Sequence, residues 1–339
     1  MKKLMSILLV VLMLIPIIVS CGGNDETTTT EAPTTEAPTT EAPTTEIHTT
    51  EAPTMETPTT EAPTTEAPTT EAPTTETPTT TPPVELIPLS EGLAFEINSD
   101  GKSYTVVGIG ECKDTVINIP DEYNDLPVTS IGFEAFRENK QITHIYIPDS
   151  ITYIDASAFF VCSNLTEIVI PDTVTYIGRS AFAFCRKLTD IKLPANLTFI
   201  NENLFLLSGI ESITIPDSVT SIGEGAFQES KIKSINIPDG ITSIEGWVFA
   251  GCYELTSVTI PSSVTSINRG AFRLCTKLTS IIIPSSVTYV SQNAFCDDGN
   301  LTVYCEATSK PDGWDDEWTG DERKDIKVKE VVWGYTAEE

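Results

Sequence analysis

One short phrase dominates this chain. The dipeptide Ile-Pro, once Leu-Pro, ends at Pro120, Pro148, Pro171, Pro194, Pro216, Pro238, Pro261 and Pro284. A phenylalanine follows each, at Phe136, Phe159, Phe182, Phe205, Phe227, Phe249, Phe272 and Phe295, with successive gaps of 23, 23, 23, 22, 22, 23 and 23 residues. A fixed period in the twenties restricts the chain to a solenoid, in which each unit buries its apolar edge against the next.

Each unit opens with Leu or Ile, two free positions, then I-x-I-P, as in Leu165, Ile168, Ile170 and Pro171. The alternation predicts a short strand with one buried face. Proline has no N–H, so it ends the ladder and turns the chain away. A short polar residue usually stands two positions later (Thr173, Ser218, Ser263, Ser286; Asn196 in one copy), placed to bond turn carbonyls that water cannot reach. V-T-x-I follows and predicts a second extended piece, as at Val174 and Ile177. Then comes Ala-Phe: the small residue lets the backbone approach, and the ring fills the space between layers. The rings should form a stacked column, each contributing on the order of 1.5–3 kcal/mol by burial.

This pattern, L-x-x-I-x-I-P-x-S/T-V-T-x-I-G-x-x-A-F-x-x-C, resembles the BspA-like leucine-rich repeats of bacterial and protozoan surface proteins. The likeness covers roughly residues 103–318. It implies a leucine-rich-repeat solenoid of the α/β repeat class: a right-handed coil of 22–23-residue repeats, mostly short parallel strands with turns and short helical or 3-10 segments, and a concave parallel β-sheet. It also implies adhesion. Two copies depart from the pattern. Those at Phe205 and Phe227 lack one residue before the next strand and carry Ser208 and Ser230 where others have cysteine. Both features point to a tightened loop.

Five regions follow from the N-terminus. Residues 1–20 are a signal peptide of lipoprotein type: Lys2 and Lys3 precede an apolar run, too short and proline-interrupted for a spanning helix. Ile18-Val19-Ser20-Cys21 resembles a bacterial lipobox, which makes Cys21 the expected lipid attachment site; the alternative is an ordinary signal peptide with a stray cysteine. Residues 21–83 form a Thr/Pro/Glu-rich stalk built on T-T-E-A-P. It is too polar to bury a core, so disorder is expected, with a reach on the order of 170 Å if fully extended. Residues 84–120 form an N-terminal cap and first strand, with a hairpin turning at Ser99-Asp100-Gly101. Residues 121–304 carry the repeats and begin with an insertion at 121–128. Residues 305–339 form a C-terminal cap in which Trp314 and Trp318 are expected to pack.

The formal charge of −29, to which the stalk contributes a large share, argues against nucleic acid and against electrostatic docking on anionic membranes. The only membrane contact expected is through the N-terminal lipid. Of eight cysteines, Cys162, Cys185, Cys252 and Cys275 stand three residues after a repeat phenylalanine. Equivalent side chains in stacked coils point the same way, so a buried ladder of thiols is favoured over disulfides. Cys296 and Cys305, near the C-terminal cap, are the disulfide candidate. No spacing suggests zinc, another metal or a cofactor.

No nucleophile elbow, phosphate loop or metalloprotease helix occurs, so an enzyme is not expected. What remains is a surface. Outward positions of I-x-I make two ladders on the concave sheet, nine strands and about 40 Å long. One runs Tyr146, Val169, Lys192, Thr214, Asn236, Thr259 and Ile282; the other His144, Glu167, Asp190, Ser212, Ser234, Ser257 and Ser280. The N-terminal half is varied and charged, and the rest is Ser/Thr consensus. His144, Tyr146, Glu167, Val169, Asp190 and Lys192 are therefore the candidate ligand-binding surface. The expected partner is a protein or glycan on a host or neighbouring cell. The competing readings are an envelope-assembly or self-association protein and a carbohydrate-capture module.

Overall fold

The computed structural model describes residues 88–296, 299–320 and 328–336. The signal-peptide, Cys21 and stalk readings lie outside these residues. Within them, two columns of short parallel strands run along a solenoid. One column is built from the I-x-I segments. His144–Tyr146 pairs Val116–Asn118 on one side and Glu167–Val169 on the other. Further on, Ser234–Asn236 pairs Ser257–Thr259, and Ser280–Ile283 pairs Thr302–Cys305, which in turn pairs Glu330–Trp333. The second column comes from V-T-x-I, in the order Leu126–Ile131, Tyr153–Ile154 and Tyr176–Ile177. It continues as Phe199–Ile200 with Ser221–Ile222, and as Ser243–Ile244, Ser266–Ile267 and Tyr289–Val290.

The repeat phenylalanines form one interior column. All eight are at most 1% exposed. Consecutive rings lie 5.3 to 5.9 Å apart with planes within 20°. Four of the turn hydroxyls bond as their position predicts, whereas the hydroxyl of Ser150, two residues after Pro148, is buried without a partner. Thr173 donates to Ile151 O at 2.9 Å, Ser218 to Leu197 O at 2.7 Å, Ser263 to Ile241 O at 2.7 Å and Ser286 to Val264 O at 2.8 Å.

The short helical segments expected around Ala-Phe do not form: among the described residues there is no helix. From Ala135-Phe136 to Ala271-Phe272, each small-residue–Phe pair is bracketed by left-handed residues, for example Ser180 at φ 57° and Phe184 at φ 63°. A right-handed helix cannot run through such positions. The N–H groups instead alternate. Ala181, Ala183 and Cys185 bond three residues back, to Gly178, Ser180 and Phe182, while Ser180, Phe182 and Phe184 bond to Glu202, Leu204 and Leu206 of the next rung. The backbone is satisfied by turns and by the neighbouring coil together.

Both ends are closed. Ala94–Ile97 and Tyr104–Gly108 form the expected antiparallel hairpin. The insertion supplies a second one, Glu122–Tyr123 against Leu126–Ile131, whose Tyr123 stacks on Phe95 at 4.2 Å and meets Tyr104 edge-on at 5.0 Å. At the far end Trp318 lies edge-on to Phe295, with centroids 5.7 Å apart, and Trp314 donates its indole N–H to Val287 O at 3.1 Å. Both are buried, so they terminate the core.

The seven described cysteines are buried and none is in a disulfide. The ladder reading holds: Cys162, Cys185, Cys252 and Cys275 donate to the carbonyls of Phe136, Phe159, Phe227 and Phe249, at 3.0 to 3.2 Å. The Cys296–Cys305 disulfide is not formed. Cys296 follows Phe295 directly in the turn that packs against the rung before, while Cys305 sits on a strand in register with Ile283. The two belong to different columns of the rung.

Candidate functional site

The six candidate residues all fall on the outward face of the I-x-I column. His144 stands opposite Glu167, and Tyr146 opposite Val169, in one strand register. His144 Nε2 lies 3.6 Å from Glu167 Oε2, and its Nδ1 lies 2.9 Å from Thr143 Oγ1. Val169 is 45% exposed, an apolar side chain held out to solvent by the pleat. Asp190 and Lys192 continue the two ladders and are exposed. Lys192 Nζ lies 3.6 Å from Asp172 Oδ2 of the preceding rung. Asp172 also accepts from Ala195 N at 3.0 Å. That backbone donor and the ammonium hold its carboxyl below the usual range.

The sheet itself departs from expectation. It is not a continuous face of nine strands. Residues 190–193 and 212–215 carry no strand, and Ser257–Thr259 does not pair with Ser280–Ile283, so the column breaks into three pieces. The wider break, at 190–215, lies beside the point where the period drops from 23 to 22 residues, whereas the break after Thr259 falls in a 23-residue repeat. In longer repeats the loop after the phenylalanine closes on itself, as Arg186 N does on Phe184 O at 2.9 Å. In the shortened repeat Gly209 N bonds to Cys185 O of the rung before, at 3.0 Å. Single bonds still tether the opened rungs, from Glu211 N to Thr189 O and from Lys233 N to Glu211 O. Lys233 Nζ also bridges to Glu211 Oε2 at 2.6 Å, which lowers the carboxyl and raises the ammonium.

Two hollows occupy the wider break. One, of 610 Å³, lies between residues 190–195 and 214–218, with Asp190, Lys192, Thr214, Asp217 and Ser218 on its walls. The other, of 380 Å³, is lined by Asp190, Ser212, Thr214, Ser234 and Asn236 around Ile213. Ile213 is only partly buried, whereas Ile168, Ile191 and Ile235 at the equivalent position are at most 5% exposed. Sequence reasoning places Asp190 and Lys192 here but passes over Ser212, Thr214, Ser234 and Asn236 as plain consensus. The missing residue in each short repeat was the available signal.

The arrangement offers carboxylates, hydroxyls, an amide and one flexible ammonium around a partly buried isoleucine. No group of His, Cys, Asp and Glu able to hold a metal ion occurs among the described residues. Nor is any described helix long and apolar enough to cross a membrane.

Comparison with known proteins fits this architecture. The family model for the BspA type leucine rich repeat region matches six copies, over residues 110–213 and 200–306. The two segments together span more than half of the chain. The chain therefore belongs to the BspA-type leucine-rich-repeat family, whose members are cell-surface proteins built on a repeat scaffold typical of binding. Among solved structures, it is similar to a leucine-rich-repeat protein of T. pallidum, at 25% identity over 55% of this chain and 88% of that one, with a TM-score of 0.49. It is also similar to a leucine-rich cell surface protein of Faecalibacterium prausnitzii, at 20% identity over 74% and 96%, TM-score 0.47. A leucine-rich-repeat protein from Bacteroides capillosus shares 30% identity over 39% and 94%, TM-score 0.29. A search of curated protein sequences found no match.

Proposed function

We propose that this chain is an exported lipoprotein, held at the cell surface by lipid on Cys21, that displays its solenoid on the 21–83 stalk for adhesion. The partner is a protein on a host or neighbouring cell. The solenoid works as a docking surface and carries out no catalysis. The observation behind this reading is the opened stretch at 190–218. A solenoid needs only its core columns to fold, and these run through the break intact, with Ile191, Leu193, Ile210 and Ile215 buried. The hollows beside them are not required for stability, and they interrupt a face whose neighbouring positions, His144 to Lys192, are the most varied of the ladder. The exposed Val169 and the partly exposed Ile213, rimmed by charged and hydroxyl groups, have the composition of a transient protein interface.

The test is capture by the compact unit Thr79–Glu339. Immobilised on beads, it is exposed to host-cell surface proteins and to extract of the producing cells. Lys192→Glu and Thr214→Arg change the hollow without touching a buried residue. Binding should fall about tenfold or more in these variants, with unchanged thermal unfolding. Equal binding by both would dispose of the hollow as the docking site. Binding only to the producing cells would make self-association the role. In whole cells, removal of residues 24–81 should weaken attachment to a large target while the unit keeps its affinity.

A further inference from the structure

The second strand column carries an aromatic row that the repeat does not require. At the outward position of V-T-x-I four rungs have serine, Ser130, Ser221, Ser243 and Ser266, and Tyr289 stands alone beyond them. Three consecutive rungs have Tyr153, Tyr176 and Phe199 instead. Tyr153 and Tyr176 stack with centroids 4.6 Å apart and planes 4° from parallel, and Phe199 closes the far side edge-on at 5.7 Å.

The row ends abruptly at Tyr153. One face of its ring is covered by Tyr176. The other is turned toward the preceding rung, where the residue in register is Ser130. Tyr153 is 39% exposed. The space above Ser130 is one rung deep, about 4.8 Å, the spacing that accommodates one more ring. The rim of this ledge is polar, uncharged on the Ser130 side and bearing one carboxylate at its outer edge. Ser130 Oγ and Thr105 Oγ1 are 2.5 Å apart, Thr105 donates to Asn98 Oδ1 at 2.6 Å, and Asn98 Nδ2 donates to Thr129 Oγ1 at 3.3 Å. At the outer edge the Tyr153 hydroxyl donates to Asp155 Oδ1 at 3.4 Å.

We infer that this ledge is a carbohydrate site, in which a pyranose ring stacks on the free face of Tyr153 above Ser130. The chemistry of the surround selects the ligand. A sugar ring presents an apolar C–H face, which suits an aromatic ring, and an equatorial fringe of hydroxyls. The fringe needs donors and acceptors at the sides. Thr129, whose hydroxyl accepts from Asn98, has its hydrogen to donate. Ser130 Oγ and Asn98 Oδ1 supply acceptors, the Asn98 amide being taken up by Ser103 and Thr129. The Asp155 carboxylate accepts from a sugar hydroxyl with charge assistance. A peptide anchor would call for an apolar pocket with walls on several sides, and this ledge has a single apolar wall. Tyr176 and Phe199 back the Tyr153 ring, so little side-chain freedom is lost on binding. The ledge lies on the other strand column from the hollows at 190–218, so it takes its ligand whether or not those hollows take a protein.

The test uses the full chain on a printed array of defined oligosaccharides, then calorimetric titration with the oligosaccharide that responds most strongly. Tyr153→Ala removes the platform. Ser130→Tyr fills the ledge with the residue that neighbouring rungs already carry, which guards against misfolding as an explanation. Both should weaken binding at least about tenfold, while Lys192→Glu leaves it unchanged. Tyr153→Phe keeps the ring and should retain most of the affinity. An array blank for the wild-type chain overturns the inference. So does glycan binding that survives both Tyr153→Ala and Ser130→Tyr, or that is lost with Lys192→Glu alone. Capture of a protein that Ser130→Tyr abolishes, with no glycan bound, would reassign the ledge to a protein partner and equally end the carbohydrate reading.

Discussion

A Cβ atom placed on Gly178 would stand 2.3 Å from the backbone nitrogen of Ala156, one rung back. The contact is backbone on one side, so no side-chain rotation relieves it. Gly270 presents a different kind of constraint. Its φ is +64°, and an added Cβ would meet the Trp247 ring at 2.7 Å, where the indole can tilt. Gly178→Ala should therefore cost about 3 kcal/mol through forced backbone displacement, and Gly270→Ala about 1–2 kcal/mol through the left-handed conformation. Urea unfolding of both variants checks the order. In a Trp247→Ala background the ring contact at Gly270 is gone and only the conformational part of its cost should remain. A larger loss for Gly270→Ala than for Gly178→Ala would mean the rungs are not packed this closely.

Phe182 sits in the middle of the aromatic column, fully buried, with Phe159 at 5.3 Å and Phe205 at 5.9 Å. Phe182→Ala leaves a cavity between two rigid neighbours and should cost about 3–5 kcal/mol. A loss below about 1 kcal/mol in denaturant unfolding would be too small for a buried ring.

The thiol ladder predicts a pH dependence. Burial pushes the thiols of Cys162, Cys252 and Cys305 up to about 12, and holds Cys185 well above the ordinary range with a further contribution from Cys162 beside it. In the unfolded chain these groups lose their protons near the ordinary value of 9.0. Between about pH 9 and 12 the folded state thus holds protons that the unfolded state has released, and stability falls as pH rises. Below pH 9 the contribution is fully present. Midpoints of denaturant unfolding should be flat from pH 7 to 8.5 and decline above it. Cys162→Ser keeps a hydroxyl donor for Phe136 O, serine being the residue that replaces cysteine naturally at Ser208 and Ser230, and should reduce the slope. In the native state at pH 8, iodoacetamide should leave these thiols unmodified.

The phenylalanine column, the turn hydroxyls and the thiols could be read from the sequence because each occupies a fixed place in every repeat. A position that recurs with period 22 or 23 has one environment, so one argument serves for all copies. The helical turns were misjudged because left-handed residues at Ser180, Phe184, Trp247 and Leu274 have no compositional marker; several are bulky types rarely found there. The aromatic row escaped notice because x in V-T-x-I reads as a solvent position in each copy alone. Only the register of Tyr153 on Tyr176 makes the rings neighbours. The Cys296–Cys305 pairing failed because proximity in sequence says nothing about which column of the rung a residue occupies.

The opened stretch at 190–218 was also unseen, since Ile191, Leu193, Ile213 and Ile215 repeat the strand pattern faithfully. Pattern reports which side chains are buried, and hydrogen-bond pairing depends on how the loops place successive rungs. The two can be separated by native-state hydrogen exchange. Amides in closed pieces of the ladder, such as Ile145, Ile168 and Ile281, are strand-paired and should open only when the solenoid does. Amides of 191–193 and 213–215 lie in residues without strand pairing and should exchange at least about a hundredfold faster under native conditions, since each lost hydrogen-bonded register removes several kcal/mol of local protection. Adding one residue after Ser208 restores the 23-residue spacing of the first short repeat. If loop length holds the ladder open, that insertion should slow exchange at 213–215 toward the value for Ile168 and shrink the hollow beside Lys192. Unchanged exchange after the insertion would place the cause of the opening in the strands themselves.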